Sequence, residues 1–421
     1  MALLEVRNLS VGIKKNKSHL AAVDGISFDI EAGEIIGLVG ESGCGKTLSA
    51  LSIPGLLPPE AEVTGGSLSF GAPGLCCASR VKPPKIAGEA IFYPANSESA
   101  PDNRDFYVTG DAKIHKYNRL PEAGHGSAPA ESGEYAAALD LLSLDEEELC
   151  RIRGKDISMI FQEPRQSLNP LLRAGDQITE ALKLHGLAET KTARRKALEL
   201  IEKLGLNEPE RVFASYPHQL SGGMCQRVMI AIAAICRPRL LIADEPTTAL
   251  DPAVQLQILG LLEKINRGFG TAILFISHDL SLVRRFCART LVMYAGKIVE
   301  EGKTGDLFSD PRHPYTRGLI GAVPLPSRRG RPLANIPGRA PSIEDKIEGC
   351  PFAPRCPRAE PACRAAFPAE TDLGGNHRVN CPINKPAACA KLDPQILKKF
   401  NNEFNLTNHT NRGRILTTNT L

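Results

Sequence analysis

The sequence lacks long apolar runs and a strong excess of either charge. No stretch approaches about 18 uninterrupted apolar residues, so we expect no membrane-spanning helix. The first ten residues show no basic start followed by an apolar core, so we expect no signal peptide. The 51 Lys and Arg residues exceed the 47 Asp and Glu residues by only four, which does not favour nucleic-acid binding. A role at a membrane would therefore require docking onto other proteins.

Cysteine is not scarce, but the context of a disulfide-bonded secreted domain is missing. Without a secretion signal, we expect the 12 cysteines to be free thiols or metal ligands. Seven are scattered over the first three-quarters of the chain: Cys44, Cys76, Cys77, Cys150, Cys225, Cys236 and Cys287. Five crowd into a short stretch near the end: Cys350, Cys356, Cys363, Cys381 and Cys389.

A glycine-rich segment, GESGCGKT at residues 40–47, matches the phosphate-binding pattern G-x-x-x-x-G-K-[ST] at every fixed position. Its glycines permit a tight turn whose N–H groups point at phosphate oxygens. Lys46 offers a positive charge to the outer phosphates, and Thr47 offers a hydroxyl to Mg²⁺. The alternative is a chance match in a glycine-rich turn. We predict that the whole segment binds ATP: Gly40, Glu41, Ser42, Gly43, Cys44, Gly45, Lys46 and Thr47.

Alternating apolar and helical segments indicate an α/β protein. The motif lies between a strand candidate at 34–39 and a helix candidate at 48–53, and residues 1–70 otherwise predict short strands. Further strands are predicted at 157–161, 240–243 and 272–276, and helices within 176–204 and at 254–265. From Pro311 onward the helix and strand signals weaken.

Residues 71–136 are rich in Gly, Pro, Ala and Ser and predict a long inserted loop. Phe92, Tyr93, Phe106 and Tyr107 could pair as two small strands, and a mobile surface insertion is the alternative.

Asp244 and Glu245 follow the apolar segment at 240–243. In phosphate-loop enzymes such an aspartate helps to hold Mg²⁺. The next carboxylate is placed to polarise an attacking water. A solvated turn after the strand is the alternative, but the phosphate loop favours the catalytic interpretation.

A segment at 220–226, LSGGMCQ, resembles the LSGGQ-type signature of ATP-binding-cassette (ABC) ATPases. Matches to other family elements follow the family's order: Gln162 in FQEP, Asp251 in TTALD and His278 in FISHD. The resemblance covers 1–70 and 137–325. It implies an ABC ATPase domain over 1–325 with a mixed or parallel sheet core, a small antiparallel β subdomain and a helical subdomain at 165–235. A loop-rich extension over 326–390 and a disordered tail over 391–421 complete the predicted organisation.

The resemblance also assigns roles to these residues. Glu245, His278 and Gln162 are implied to be catalytic, with His278 on the γ-phosphate. Mg²⁺ is implied to be held by Thr47, Gln162 and Asp244. Ser221, Gly222 and Gly223, with Asp251 nearby, are implied to close over ATP held by a second ABC subunit in a head-to-tail dimer.

Some positions depart from the family pattern. The adenine-stacking aromatic is not evident, because Val11, Gly12 and Ile13 occupy its region. Gln219 replaces a frequent acidic residue, and Cys225 replaces a frequent basic one. These departures leave open a weakly hydrolysing regulatory partner in a heterodimer. A soluble ABC protein of DNA repair or translation is a further alternative, but the coiled coil or second cassette that it predicts is missing.

Four segments resemble the peptide-importer branch of the family: SLNP at 167–170, HPYT at 313–316, IPG at 336–338 and GCPFAPRC at 349–356. The resemblance implies an ATPase subunit of an oligopeptide, dipeptide or nickel importer, peripheral on the cytoplasmic face of the plasma membrane. Its implied partners are a second ABC subunit, two membrane permeases and, indirectly, an extracytoplasmic binding protein.

Four of the crowded cysteines, Cys350, Cys356, Cys363 and Cys381, could hold a [4Fe–4S] cluster or a tetrahedral zinc ion. Their spacing differs from the C-x₂-C of common zinc sites. Reduced thiols without a metal are the alternative. Because some dipeptide importers of this branch carry an iron–sulfur cluster here, the resemblance favours a cluster.

Overall fold

The computed structural model describes residues 2–15, 18–71, 138–248, 250–323, 335–345 and 347–382. Several predictions fall outside these ranges. They are the insertion beyond Gly71 with its strand pair, the tail at 391–421, and three cysteines, Cys76, Cys77 and Cys389.

The first sheet is antiparallel, with the strand order β2-β1-β4-β5. Its strands are β1 (Leu4–Lys15), β2 (Ser18–Ile30), β4 (Ala61–Phe70) and β5 (Leu139–Asp140). The expectation of short strands was wrong here, since β1 has 12 residues and β2 has 13. Irregularities in pairing between Val6 and Leu9 and between Leu9 and Val11 let the long hairpin bend without ending.

The second sheet has eight strands in the order β11-β12-β10-β9-β3-β8-β7-β6. They are β3 (Ile35–Val39), β6 (Ile157–Ile160), β7 (Leu240–Asp244), β8 (Ala272–Ile276), β9 (Arg289–Tyr294), β10 (Lys297–Lys303), β11 (Thr371–Asp372) and β12 (Arg378–Val379). The segment from β6 to β9 is parallel, and β10, β12 and β11 extend it in antiparallel fashion. Every residue of β7 and β8 is buried, as their apolar runs predict.

The core lies on both faces of this second sheet, because successive side chains of a strand point to opposite faces. In β8, Leu274 and Ile276 pack towards the antiparallel sheet. Ile273 and Phe275 pack with the helices on the other face. The parallel strands are therefore fixed between two apolar layers, and their C-terminal ends are held at one edge.

Twelve α-helices lie within the described residues. They are α1 (Lys46–Ser52), α2 (Glu146–Ile152), α3 (Pro164–Ser167), α4 (Ala174–Leu184), α5 (Thr190–Lys203), α6 (Pro209–Ala214), α7 (Gly222–Ala234), α8 (Pro252–Phe269), α9 (Leu280–Phe286), α10 (Thr304–Ser309), α11 (Pro314–Ala322) and α12 (Pro361–Ala365). None of them combines the length and apolar character needed to cross a membrane.

Helices α3 to α7 are consecutive between β6 and β7 and correspond to the expected helical subdomain. The predicted helix at 254–265 is longer than expected, since Asp251 caps its start and Gly270, at φ 68°, ends it. The helix and strand signals weaken after Pro311, yet residues Pro314–Ala322 form α11. There His313 accepts a hydrogen bond from the Tyr315 N–H, and Pro314 takes the first helical position.

The C-terminal extension joins the second sheet through β12, which pairs with β10. A buried contact reinforces this pairing, because His377 Nε2 lies 2.8 Å from a carboxylate oxygen of Glu300. The same carboxylate accepts hydrogen bonds from the backbone of Arg312 and His313. The described part of the extension thus packs against the ATPase domain.

Candidate functional site

The phosphate loop connects β3 to α1, and close packing requires its glycines. A Cβ on Gly40 would lie 2.1 Å from the Met293 carbonyl oxygen and 2.8 Å from the Cys44 sulfur. Gly45 has φ +104°, and a Cβ there would lie 2.8 Å from the Ala22 carbonyl oxygen. The sequence therefore folds this segment into a tight turn that side chains would obstruct.

Lys46 is the cation of this loop. Its side chain is buried, and Nζ donates hydrogen bonds to the Gly40 and Glu41 carbonyl oxygens at 2.9 and 3.0 Å. No side chain caps the start of α1, where Gly45 is the N-cap residue. A buried ammonium next to helix N–H groups without a side-chain acceptor forms a site suited to phosphate.

Asp244 ends β7 with its side chain in the interior. It is 2% exposed, and its Oδ1 atom has no hydrogen-bond partner among the described residues. Burial raises the pKa of this carboxyl to about 6, although a hydrogen bond from the Thr47 hydroxyl and the charge of Lys46 lower it. A buried carboxylate oxygen without a partner, beside a hydroxyl, matches the oxygen ligands that Mg²⁺ prefers.

This pKa predicts how metal binding depends on pH. A Mg²⁺ ion held by Asp244 would need its carboxylate form, so the apparent Mg²⁺ affinity should fall as the pH drops below about 6. At pH 5 we expect the apparent affinity for Mg²⁺, measured in the presence of nucleotide, to be about tenfold weaker than at pH 7.5. Titration of a fluorescent ATP analogue at both values measures this. Asp244→Asn is the control, because any pH effect that remains in it comes from protonation of ATP itself. An equal pH effect in both proteins would contradict the assignment of Asp244 to the metal.

Glu245 lies at the centre of a polar cluster. One oxygen, Oε2, accepts hydrogen bonds from Gln162 Nε2 at 3.2 Å and from the Thr248 hydroxyl at 2.9 Å. The other, Oε1, lies 3.2 Å from His278 Nδ1. The backbone of Glu245 is in the left-handed region at φ 46°, a strained conformation for a non-glycine residue. The structure thus brings together the three predicted catalytic residues.

Sequence reasoning missed Thr248 in this cluster. Its place three residues after Glu245 could have indicated it, because the intervening turn closes with a hydrogen bond from the Thr248 N–H to the Glu245 carbonyl.

The signature segment begins α7, and its hydrogen bonds to other described residues are all local. Ser221 caps the helix by accepting from the Met224 N–H at 3.3 Å, and a Cβ on Gly222 would meet nothing within 4 Å. Among the described residues, no hydrogen bond joins Ser221, Gly222 or Gly223 to the phosphate loop. Within the ranges that the structure describes, the Asp251 side chain accepts hydrogen bonds only from the backbone at the start of α8. The space in front of Gly222 at the start of α7 is therefore open.

Cys225, which departs from the family pattern, does not reach that open surface. Its side chain is fully buried, and its thiol donates to the Pro217 carbonyl oxygen at 3.4 Å. Burial raises the pKa of the thiol, so it remains uncharged. The substitution therefore changes the packing under the signature and leaves its exposed face unaltered.

Four of the C-terminal cysteines lie in the described part of the chain and belong to its larger apolar core. Cys350, Cys363 and Cys381 are buried and Cys356 is half-buried. Burial raises the pKa of Cys350, and the neighbouring thiols of Cys363 and Cys356 raise it further. The nine cysteines of the described ranges form no disulfide with one another. Over the same ranges, no three His, Cys, Asp or Glu side chains converge closely enough to hold one metal ion.

Comparison with protein families gives two matches. Residues 23–73 and 129–248 match the ABC transporter family, and residues 299–363 match the C-terminal region of oligopeptide/dipeptide transporters. The first match skips most of the predicted insertion.

Relatives match across nearly the whole chain. A probable peptide ABC transporter ATP-binding protein of Sinorhizobium fredii is 39% identical over 90% of this chain and 94% of its own length. The dipeptide transport ATP-binding protein of Bacillus subtilis is 38% identical, with the same coverage. The oligopeptide transport ATP-binding protein of Escherichia coli is 37% identical over 90% of this chain and 92% of its own.

The chain therefore belongs to the ABC transporter ATP-binding proteins, and it is an ABC-type ATPase that carries the oligopeptide/dipeptide transporter C-terminal region. Two solved dimeric structures of the ATP-binding cassette MJ0796, one bound to ADP and phosphate, match at TM-score 0.51 and 24% identity. Each match covers 72% of this chain and 98% of the other. This similarity confirms the predicted fold class.

Proposed function

We propose that this protein hydrolyses ATP with Glu245 as the group that orients and deprotonates the attacking water. The observation that supports this role is the arrangement of its carboxylate, whose two oxygens are held by Gln162, Thr248 and His278. The side chain is 15% exposed, so it is fixed in place yet open to solvent. A fixed base at the end of a strand meets the geometric need of phosphoryl transfer to water.

The phosphates and the metal would be held by residues that follow β3, β6 and β7. Lys46 and the backbone of the phosphate loop would neutralise the outer phosphates, while Thr47, Asp244 and Gln162 would hold Mg²⁺. When bound, Mg²⁺ offsets the charge that develops on the phosphate oxygens. His278, with its exposed side chain next to Glu245, would hydrogen-bond the γ-phosphate and respond to its loss.

A second ABC subunit would complete the site. Ser221, Gly222 and Gly223 present an open surface at a helix start, which suits an anion supplied from outside this chain. We propose that they cover ATP on the partner's phosphate loop, with Asp251 at the same interface. A two-fold pair of this kind closes on itself.

The substrate proposed for the assembly is a peptide. The match of residues 299–363 to the oligopeptide/dipeptide transporter region supports this, as do the names of the relatives. The chain would act at the cytoplasmic face of the membrane, bound to two permease subunits that receive peptide from an extracytoplasmic binding protein. Nickel is the alternative substrate.

Uptake measurements test this assignment. In a strain that lacks the gene, the wild-type protein should restore accumulation of labelled di- or oligopeptides. Restoration of nickel uptake without peptide uptake would favour the alternative. A strain whose uptake of both substrates is independent of the gene would contradict import.

We also propose that Cys350, Cys356, Cys363 and Cys381 hold a [4Fe–4S] cluster. All four belong to the larger apolar core of the chain. The thiols of Cys363 and Cys356 raise the pKa of Cys350, and that of Cys363 also raises the pKa of Cys356, so these three lie near one another. A cluster takes one thiolate on each of four iron atoms, so its ligands need not converge on one point as zinc ligands do. When bound, it would cross-link the loops of the extension.

Iron and acid-labile sulfide analysis of anaerobically purified protein tests this site. We expect four iron and four sulfide per chain, with loss of both in Cys363→Ser and no change in Cys150→Ser, whose cysteine is exposed and distant in sequence. Colourless wild-type protein without iron would contradict the proposal.

A further inference from the structure

We propose that the C-terminal extension positions the phosphate loop, with Arg355 as the positioning residue and Glu41 as its target. The inference rests on the proposed binding of ATP at residues 40–47. It assigns a role to the segments HPYT, IPG and GCPFAPRC, which the sequence marks as typical of the branch without explaining them.

The central contact is a two-pronged ion pair. Arg355 Nη1 donates to Glu41 Oε2 at 2.8 Å, and Nη2 donates to Oε1 at 3.2 Å. The side chain of Arg355 is 7% exposed and that of Glu41 is 26% exposed, so water screens the pair only in part. Paired bonds between a guanidinium and a carboxylate fix direction as well as distance. The second residue of the phosphate loop is thereby tied to a residue 314 positions away.

Arg355 is itself held by the extension. Its Nε atom donates to the Pro337 carbonyl oxygen at 2.9 Å, and Nη2 also donates to the Ile336 carbonyl oxygen at 3.3 Å. Nη1 also donates to the Tyr294 hydroxyl at 3.1 Å. Each guanidinium nitrogen therefore has a partner, and the guanidinium group cannot rotate away from Glu41 without losing several hydrogen bonds. This rigidity separates it from a surface ion pair, which contributes little.

A second contact holds the backbone of the same residue. The Glu41 N–H donates to the hydroxyl of Tyr315 at 2.8 Å. Tyr315 is fully buried, and its ring lies 4.5 Å from that of Tyr294 and 5.4 Å from that of Phe352. An aromatic platform built from β9, α11 and the cysteine-bearing loop thus fixes where the loop begins.

Glu41 also contacts the cation of the ATP site. Its carbonyl oxygen accepts a hydrogen bond from Lys46 Nζ at 3.0 Å. The extension therefore fixes Glu41, and Glu41 helps to fix the cation for the phosphates. Preorganised groups bind a ligand more tightly because less conformational freedom is lost on binding. Removing the ion pair should weaken ATP binding by loosening the loop, while the backbone N–H groups of the loop and the side chains of Lys46 and Thr47 all remain.

Nucleotide titration of the purified full-length protein tests the proposal. With a fluorescent ATP analogue and Mg²⁺, Arg355→Met and Glu41→Gln should each raise the Kd about tenfold. The double variant should bind no more weakly than either single variant, because both changes break the same pair. Arg355→Lys keeps the charge but cannot make the paired hydrogen bonds of a guanidinium, so its Kd should lie between those of Arg355→Met and the wild type.

Arg364→Met is the matched control, since Arg364 is an exposed arginine of the same extension, and it should bind as wild type does. A role in stability alone would lower the melting temperature of Arg355→Met yet leave the Kd of the folded protein unchanged. If Arg355→Met does not fold, the isosteric Glu41→Gln decides. Wild-type affinity in Glu41→Gln and in any folded Arg355→Met, or additive effects in the double variant, would overturn the proposal. Failure of the wild-type protein to bind ATP would instead overturn the proposed function.

Discussion

Replacement of Glu245 by glutamine is expected to leave ATP binding intact and to slow hydrolysis by at least about 100-fold, the low end of what a general base contributes. The amide has the shape of the carboxylate and can still accept a hydrogen bond from the Thr248 hydroxyl. It cannot take the proton of an attacking water. Bound ATP should therefore persist, and the protein should accumulate as an ATP-bound dimer with its partner, measured by size-exclusion chromatography and single-turnover hydrolysis.

Glu163→Gln is the control for this result. Glu163 is an exposed carboxylate next to Gln162, and its side chain does not cap α3. We expect turnover close to wild type. Normal hydrolysis by Glu245→Gln would remove Glu245 from the catalytic role, whatever Glu163→Gln does.

Replacement of Lys46 by alanine is expected to weaken ATP binding about 100-fold, because a charged hydrogen bond contributes up to about 3 kcal/mol and 1.4 kcal/mol is a factor of ten. The structure adds a second reason. Lys46 Nζ bonds to the carbonyl oxygens of Gly40 and Glu41, so its loss also loosens the loop. Equilibrium titration with a fluorescent ATP analogue measures the change.

Lys303→Ala removes an exposed lysine at the end of β10 and serves as the control for net charge. Its affinity should equal that of the wild type. Equal affinities for Lys46→Ala and Lys303→Ala would show that the phosphates do not rely on this loop.

Much of the ATP site could be predicted because its signals are local. The spacing of Gly40, Gly45 and Lys46 defines the loop within one turn of chain, and the apolar runs of β7 and β8 identify buried parallel strands. Gln162, Glu245 and His278 come from separate segments. Only the order of motifs typical of ABC proteins predicted that they act together. In the structure, side-chain nitrogens of Gln162 and His278 each lie 3.2 Å from a carboxylate oxygen of Glu245.

The parts that could not be predicted depend on long-range contacts. Strand β12 has two residues, too few for a periodic pattern. It forms because the edge of β10 provides backbone groups for antiparallel pairing. The pairing of Arg355 with Glu41 crosses most of the chain and has no sequence period. The length of β1 was underestimated because the irregular pairing that lets it bend interrupts its alternation.

The most direct test of the proposed function is ATP hydrolysis by the assembled transporter in proteoliposomes, with and without its peptide-loaded binding protein. We expect hydrolysis to rise when peptide is supplied and to be lost when this chain carries Glu245→Gln. Hydrolysis at the same rate with and without peptide, or at the wild-type rate in the Glu245→Gln assembly, would contradict the proposed function.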